Sequence, residues 1–228
     1  MTQQMSSVMV VIPAYNEGTV VGGVVERVRH VCPNVVVVDD GSSDGTGDAA
    51  RRAGAYVVRH SINLGQGAAL QTGLTFALRS GAAAIVTFDA DGQHDPADIE
   101  TLVAALSQHN VEMALGSRFA GHAVDMPGSR RLLLHAARCV NWALTGLMLS
   151  DAHNGARAFS RKAAEHIRIT QSGMAHATEI VAQIARHKLT FVEVPVTVHY
   201  TAYSMAKGQK LSNSVHILMD LFLSGLQR

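Results

Sequence analysis

Short runs rich in valine and isoleucine alternate with segments of helical period along the first half of this chain. This alternation restricts the possible folds more than any other feature. The apolar runs cover residues 8–13, 34–39, 55–59 and 83–88. Runs that are apolar at consecutive positions are typical of strands buried on both faces of a parallel sheet. Between them, apolar residues recur at helical intervals, as at Val21, Val24, Val25 and Val28. The order predicts a Rossmann-like α/β fold, with a mostly parallel central sheet and helices on both faces.

Polar residues follow each of the four apolar runs. They occupy positions 15–17, 39–44, 63–65 and 89–91. In open α/β sheets, ligands bind outside the carboxyl ends of the strands. We therefore expect one cleft to collect all four polar segments.

Length and composition are those of one globular domain. The chain has 228 residues, of which 47% are hydrophobic and 16% charged, and no linker or repeat divides it. The formal net charge of +1 argues against a general nucleic-acid binder, which needs a basic surplus. No secretory signal begins the chain, and no run reaches the ~20 apolar residues of a membrane span. We therefore expect a cytoplasmic protein, with the inner face of the membrane as the alternative location.

The segment Asp89-Ala90-Asp91 ends the fourth apolar run. Two carboxylates spaced in this way can share a hard divalent cation, which prefers oxygen ligands. Such a cation would neutralise a bound diphosphate and stabilise it as a leaving group. Solvated loop acids are the alternative for the tripeptide alone. The three polar segments upstream favour the metal interpretation.

The four polar segments and their flanks carry a resemblance to a known family. They read VVIPAYNE at 10–17, VVDDGSSDGT at 37–46, NLG at 63–65 and DADGQH at 89–94. In this order they resemble the motifs of glycosyltransferase family 2, and most closely the branch of dolichol-phosphate mannosyltransferase and other polyprenyl-phosphate glycosyltransferases. The resemblance covers residues 8–210. It implies a glycosyltransferase-A type fold, a nucleotide-diphosphate sugar donor, and Mg²⁺ or Mn²⁺ as cofactor.

The resemblance also implies roles for individual residues. Those bordering the nucleotide would be Pro13, Ala14, Tyr15, Glu17, Asp40, Asp89 and Ala90. Asp40 would accept a hydrogen bond from the base, which agrees with its chemistry because a carboxylate only accepts. A turn or capping residue is the alternative for Asp40. Asp89, Asp91 and Gln93 would hold the metal, and Asp91 would be catalytic through it.

A dinucleotide fingerprint is excluded at Gly65-Gln66-Gly67. Leu70 stands where the third glycine or an alanine of that fingerprint is required. Close packing of the backbone at a helix start explains these glycines better.

The second half supplies candidates for binding the acceptor. A strand at 111–116 leads to Arg118, and a helix at 130–149 begins with Arg130 and Arg131. Guanidinium groups suit a phosphate on the acceptor or the donor, while solvated arginines at a helix start are the alternative for the pair. Asp151 opens a segment that resembles the family's Asp-x-x-x-Gly-x-Arg motif. It would be a catalytic base for an alcohol acceptor or only a positioning group for an ionised phosphate. A plain helix-terminal aspartate is the alternative on local grounds.

The C-terminal part is predicted to complete the acceptor side. A helix at 175–187 carries Glu179, the second-choice acid, and a strand follows at 191–198. Tyr203 and Lys207 are candidate lid contacts, although the lid departs from the family pattern, and an ordinary polar loop is the alternative. Residues 211–228 have helical apolar spacing, which fits packing on the domain or on a second subunit, or contact with a membrane surface.

We therefore interpret the chain as one domain, 1–228, with a nucleotide-sugar half at 8–116, an acceptor half at 117–210 and an amphipathic helix at 211–228. The leading hypothesis is an inverting, metal-dependent glycosyltransferase with a polyprenyl-phosphate or saccharide acceptor. One alternative is a non-catalytic nucleotide-sugar-binding protein. A phosphatase of the haloacid-dehalogenase type is another, but Gln93 stands where that class has Thr or Ser.

Overall fold

The computed structural model describes residues 3–173 and 175–200, without the side chains of Gln3, Gln4, Ser129, Arg130 and Leu133. A 3-10 helix covers Gln3–Ser7. The strands are β1 (Val8–Ala14), β2 (Val35–Asp39), β3 (Tyr56–Arg59), β4 (Ala84–Thr87), β5 (Met113–Val124), β6 (Arg157–Ser160) and β7 (Phe191–His199). The helices are α1 (Val21–Val31), α2 (Thr46–Arg52), α3 (Gln66–Arg79), α4 (Asp98–Gln108), α5 (Gly128–Thr145), α6 (Arg161–His166) and α7 (His176–His187).

The seven strands form one sheet in the order β3-β2-β1-β4-β6-β5-β7. Strand β6 is antiparallel to both of its neighbours, β4 and β5. The other neighbouring strands pair in parallel. The predicted mostly parallel sheet is thus confirmed, and it runs through both predicted halves of the chain.

The core lies in two layers, one on each face of the sheet. One layer joins the sheet to α1 and α4 through residues such as Val24 and Leu102. The other joins it to α3, α6 and α7 through residues such as Leu74 and Ile184. Every position of β1 and β2 is buried, which explains why these strands are apolar at consecutive residues. Helices on both faces of the sheet are likewise as predicted.

Strand β5 extends well beyond the predicted end at residue 116. It pairs with β7 as far as Val124, with an irregular register between Ser117 and His122. The sequence interpretation ended the strand too early because Ser117 and Arg118 are polar although buried, and because positions 119–124 alternate between partly buried and exposed and form no continuous apolar run. Irregular pairing of this kind re-aims side chains, and here it directs Arg118 to the interior.

Candidate active site

The loops that follow β1 and β2 are joined by hydrogen bonds. The backbone N–H groups of Asn16, Glu17 and Gly18 donate to the side chains of Ser42, Thr46 and Asp44 at 2.8–2.9 Å. Asp44 also accepts from the backbone of Thr46, the first residue of α2. The first two sequence motifs therefore form one surface. Among the predicted nucleotide contacts on it, Pro13 and Ala14 are buried, whereas Tyr15 is 46% exposed.

Asp40 connects this surface to the third motif. Its Oδ1 accepts from Nδ1 of His60 at 2.7 Å and from the backbone of Leu64 at 2.9 Å. Its Oδ2 accepts from the backbone of Gly65 at 2.8 Å. A carboxylate has about four acceptor sites, so Oδ2 of the buried Asp40 retains one. His60, which also contacts Thr72, was missed because one histidine after a strand gives no recognisable signal.

Asp89 lies at the centre of the cleft. Its Oδ2 contacts Nε2 of His94 at 3.0 Å, and its Oδ1 accepts from Gln66 Nε2 at 3.4 Å. Burial raises the pKa of Asp89, but the hydrogen bond and charge of His94 outweigh burial, so that the pKa lies below its ordinary value. Gly155 packs directly against the carboxylate, and a Cβ at that position would collide with it. His94 therefore stabilises Asp89 as an anion, and the hydrogen bond from Gln66 and the packing of Gly155 fix the position of its carboxylate.

Asp91 has a different environment. Its Oδ1 accepts from the backbone of Gln93 at 3.0 Å. Burial, followed by the negative charge of Asp89, raises the pKa of Asp91 to about 6. Bringing two carboxylates together in this way is unfavourable without a cation, so the donor set fits a hard metal ion.

No group of three His, Cys, Asp or Glu side chains encloses a metal position among residues 3–173 and 175–200. Mg²⁺ sites commonly combine one or two carboxylates with substrate phosphates and water. The pair of Asp89 and Asp91, with Gln93 beside it, matches that type of site. Its remaining ligands would come from the donor diphosphate and from water.

Asp151 and Arg118 form a buried ion pair between the loop before β6 and strand β5. Oδ2 of Asp151 accepts from Nε of Arg118 at 2.6 Å and from its backbone N–H at 3.1 Å. Nδ2 of Asn154 donates to the same oxygen at 3.3 Å. Arg118 also donates to the hydroxyl of Tyr200 at 2.8 Å and to the carbonyl of His153 at 3.4 Å. Although burial opposes the charge of Arg118, Asp151 raises its pKa.

Glu193 on β7 holds the segment that carries Asp151. Its Oε1 accepts from the backbone and hydroxyl of Ser150, at 2.8 and 2.7 Å, and from the backbone of Asp151 at 3.3 Å. Ser150 in turn contacts Ser117, which precedes Arg118. Glu193 was missed because its partners lie more than forty residues earlier in the chain.

Other candidates lie away from this cluster. Glu179 accepts from the backbones of Thr170 and Gln171, so that this second-choice acid holds the loop before α7. Arg131 is exposed on α5. The side chain of Arg130, both lid candidates Tyr203 and Lys207, and the predicted helix at 211–228 lie outside the described residues.

The close packing predicted for Gly65-Gln66-Gly67 is confirmed. A Cβ on Gly65 would collide with Ser172, and one on Gly67 with Gln171. The start of α3 therefore lies against the loop before α7. Between these elements a pocket opens beside Asp89, and its lining includes His153 and His176, neither of which the sequence interpretation singled out.

The family can be identified once this geometry is described. The family model for glycosyl transferase family 2 matches residues 9–168, most of the chain. The chain belongs to glycosyltransferase family 2. The phosphatase and non-catalytic alternatives are thereby set aside, and the chain is a glycosyltransferase.

Two relatives and one solved structure illustrate the similarity. The chain is 30% identical to UDP-N-acetylglucosamine–dolichyl-phosphate N-acetylglucosaminyltransferase of Methanococcus voltae, over 95% of this chain and 95% of the relative. It is 33% identical to polyprenol monophosphomannose synthase of Mycolicibacterium smegmatis, over 83% of this chain and 76% of the relative. The fold is similar to that of glucosyl-3-phosphoglycerate synthase from Mycobacterium tuberculosis in complex with Mn²⁺, UDP and glucosyl-3-phosphoglycerate. The TM-score is 0.73 at 20% identity, over 96% of this chain and 78% of the other. The glycosyltransferase-A type fold is confirmed.

Proposed function

We propose that this glycosyltransferase moves a sugar from a nucleoside-diphosphate donor to a polyprenyl phosphate, with inversion at the anomeric carbon and with Mg²⁺ or Mn²⁺ at the donor diphosphate. One relative is named for transfer to dolichyl phosphate and another for making polyprenol monophosphomannose. The proposed reaction takes place at the cytoplasmic face of a membrane and contributes to an envelope glycolipid.

The buried ion pair of Asp151 and Arg118 carries this choice of acceptor. Three hydrogen bonds converge on one oxygen of Asp151, and its side chain is 2% exposed. An alcohol acceptor requires a carboxylate that is free to take its proton. A phosphate is already ionised at neutral pH and requires no base. The geometry therefore favours a phosphate acceptor over a saccharide, and a positioning role for Asp151 over that of a base.

In the proposed step, a phosphate oxygen of the acceptor attacks the anomeric carbon from the side opposite the donor diphosphate. The new carbon–oxygen bond forms as the bond to the β-phosphate oxygen breaks, and the nucleoside diphosphate leaves with that electron pair. Arg118 remains a proposed contact to the acceptor phosphate. A guanidinium has five N–H donors, and Asp151, Tyr200 and His153 accept from three of them.

Asp89, Asp91 and Gln93 would hold the metal in this proposal. When bound, the metal neutralises charge on the diphosphate as it leaves. Asp40 would accept from the base, and Pro13, Ala14, Tyr15, Glu17 and Ala90 would border the nucleotide. Arg131, with Arg130, Tyr203 and Lys207, would complete the acceptor side.

Helix α5 has a surface that suits contact with a membrane that contains the acceptor. Leu132 and Trp142 on this helix, and Met148 just after it, are 74%, 49% and 65% exposed. Residues 126–150 contain no acidic residue but include Arg130, Arg131, His135 and Arg138. Exposed apolar residues beside basic ones are typical of helices that lie on anionic lipid surfaces. Among the described residues, no helix is long and apolar enough to cross a membrane.

The ring of Phe119, which follows Arg118, packs on His135 of α5 with centroids 4.8 Å apart. Residues 146–150 connect the end of the helix to Asp151. A lipid phosphate at the surface contacted by α5 would therefore lie close to the Arg118–Asp151 pair. This position supports a lipid acceptor.

The direct test is transfer of radiolabelled sugar from UDP-glucose, UDP-N-acetylglucosamine or GDP-mannose to undecaprenyl or dolichyl phosphate in detergent with Mn²⁺. We expect a lipid product with at least one donor, and its loss in EDTA. The same incubation with free mono- and disaccharides is the control. Transfer to a saccharide but not to a lipid phosphate would contradict the proposed acceptor.

A further inference from the structure

A small pocket beside Asp89 has no role in the steps described above. Its volume is about 60 Å³, enough for several water molecules or part of a sugar ring. Gln66, Asp89, His153 and His176 supply much of its polar lining, and Leu70 and Ile180 its apolar lining. It opens between α3 and α7, on the face of the sheet opposite α1 and α4.

Two close approaches of the backbone form the walls of this pocket. Gly155 lets the loop before β6 contact Asp89, and Gly67 lets α3 contact the start of α7. The backbone of Gly67 donates to the carbonyl of Ser172 at 2.9 Å. The positions of His153 and His176 are therefore set relative to Asp89 by the main chain.

The imidazole of His176 has a defined tautomer. Its Nδ1 lies 2.8 Å from the carbonyl oxygen of Gly173, which can only accept, so Nδ1 carries the hydrogen. Burial lowers the pKa of His176, and in the neutral ring Nε2 is an acceptor. Burial and the nearby charge of Arg157 lower the pKa of His153 to about 4. Both rings are therefore uncharged at neutral pH.

Within the described lining of the pocket, Arg157 is the cationic side chain, and the nearby Asp89 carboxylate balances its charge. Arg157 donates to the backbone carbonyls of Asn154 and Ala152 at 3.0 and 2.8 Å. The other polar side chains are the amides of Gln66 and Asn154, the hydroxyl of Thr87, two neutral imidazoles and the Asp89 carboxylate, which repels anions. Such a lining suits hydroxyl groups, which both donate and accept, better than a carboxylate or phosphate.

We infer that this pocket binds the transferred sugar through its hydroxyl groups and selects an uncharged sugar, with His153 and His176 as specificity-determining residues. The inference rests on the proposed function, which places the donor diphosphate beside Asp89. The polar rim of a sugar ring would meet Gln66, Asp89 and the two histidines. Its C–H face would meet Leu70 and Ile180, as is common where pockets combine apolar walls with a few polar groups.

The test compares how tightly the full-length chain binds a nucleotide with and without its sugar. Dissociation constants for UDP, UDP-glucose, GDP and GDP-mannose are measured by calorimetry with Mn²⁺. For the nucleotide that binds, we expect His176→Leu to weaken the sugar-bearing form about tenfold relative to the diphosphate, which corresponds to about 1.4 kcal/mol. His176→Gln, which keeps hydrogen-bonding groups, should lose less. His187→Leu, at the exposed end of the same helix, is the matched control and should change neither constant.

The outcomes separate the inference from the proposed function. An unchanged ratio in His176→Leu would overturn the inference alone, as would tighter binding of UDP-glucuronate than of UDP-glucose. Absence of binding for every nucleotide would overturn the proposed function and the inference with it. If His176→Leu fails to fold in a thermal scan, His176→Gln and His153→Gln replace it, and an unchanged ratio in both would refute the inference.

Discussion

Single residues determine the charge balance of the cleft. Asp89 is held as an anion by His94, whereas Asp91 accepts from the backbone of Gln93 and lies near another carboxylate. The pKa of Asp91 is about 6, above its ordinary value of 3.8. The folded state therefore resists ionisation of Asp91, and its stability falls as the pH rises from about 4 to above 6. A cation at this position would relieve that repulsion.

Asp91→Asn is predicted to raise the melting temperature at pH 8 in EDTA. At this pH the native Asp91 carboxylate is charged although it is buried and lies near Asp89, whereas the amide of the variant carries no charge. A change of about 2–4 °C is expected for each kcal/mol in a chain of this size. The gain should shrink towards pH 4, where the native carboxyl is protonated. Calorimetry on the same variant should show no Mn²⁺-dependent binding of nucleotide. Undiminished binding would contradict the metal assignment.

Asp151→Asn is predicted to destabilise the protein and to slow transfer while sparing donor binding. Removing one partner of a buried ion pair typically costs about 3–5 kcal/mol, so we expect the melting temperature to fall by about 6 °C or more. Asp48→Asn, which loses an exposed pair with Arg51, is the control and should change little. Transfer by Asp151→Asn at the native rate would exclude both roles considered for this carboxylate.

Strands and helices determine the positions of the residues in the Arg118–Asp151 cluster. Strand β7 supplies Glu193 to the loop before β6, and β5 brings Arg118 to the same position. Helix α5 connects this cluster to an exposed apolar surface, since Phe119 packs on His135. The proposed acceptor side is thus one assembly of strands, loop and helix.

Trp142 on α5 is the only tryptophan of the chain, so its fluorescence reports on this helix directly. We predict a blue shift of its emission when vesicles containing anionic phosphatidylglycerol are added, because the half-exposed ring would leave water. Zwitterionic phosphatidylcholine vesicles should give a smaller shift. Leu132→Gln, which removes an exposed apolar residue, should weaken the response. No shift with anionic vesicles would refute membrane contact by α5.

At the scale of the whole molecule, the cleft is built from both predicted halves of the chain. Loops after β1, β2 and β4 provide the residues proposed to bind the donor, and Gly155 from the second half contacts Asp89. Within the described residues, no group of three His, Cys, Asp or Glu side chains encloses the proposed metal position, for which Asp89 and Asp91 are the candidate acidic ligands. We therefore expect the nucleotide diphosphate to supply ligands for the metal ion, and the metal ion to strengthen binding of the diphosphate.

Thermal unfolding provides a test of this interdependence. Mn²⁺ alone and nucleotide alone should each shift the melting temperature little, whereas both together should shift it more than the sum. A ligand at about 100 times its Kd stabilises by about 2.7 kcal/mol. The panel consists of UDP, GDP, CDP and dTDP sugars, and Asp91→Asn is the negative control. A large shift with Mn²⁺ alone would contradict a site shared with the diphosphate.

The sequence by itself determined the donor half of the fold. Strands buried on both faces must be apolar at consecutive positions, so β1, β2 and β4 are visible in the sequence, and ligand-binding residues must follow them. The ordered motifs at 10–17, 37–46, 63–65 and 89–94 then predicted the family. Each of these inferences depends on residues that are close in sequence.

Only the tertiary structure showed how the second half of the chain contributes to the candidate active site. The pairing of Arg118 with Asp151, the clamp by Glu193 and the histidine pocket join residues that are distant in the chain. Whether a carboxylate acts as a base or as a positioning group depends on its burial and its hydrogen-bond partners rather than on the residue type. The sequence therefore left both roles of Asp151 open, and the burial of Asp151 against Arg118 favours the positioning role.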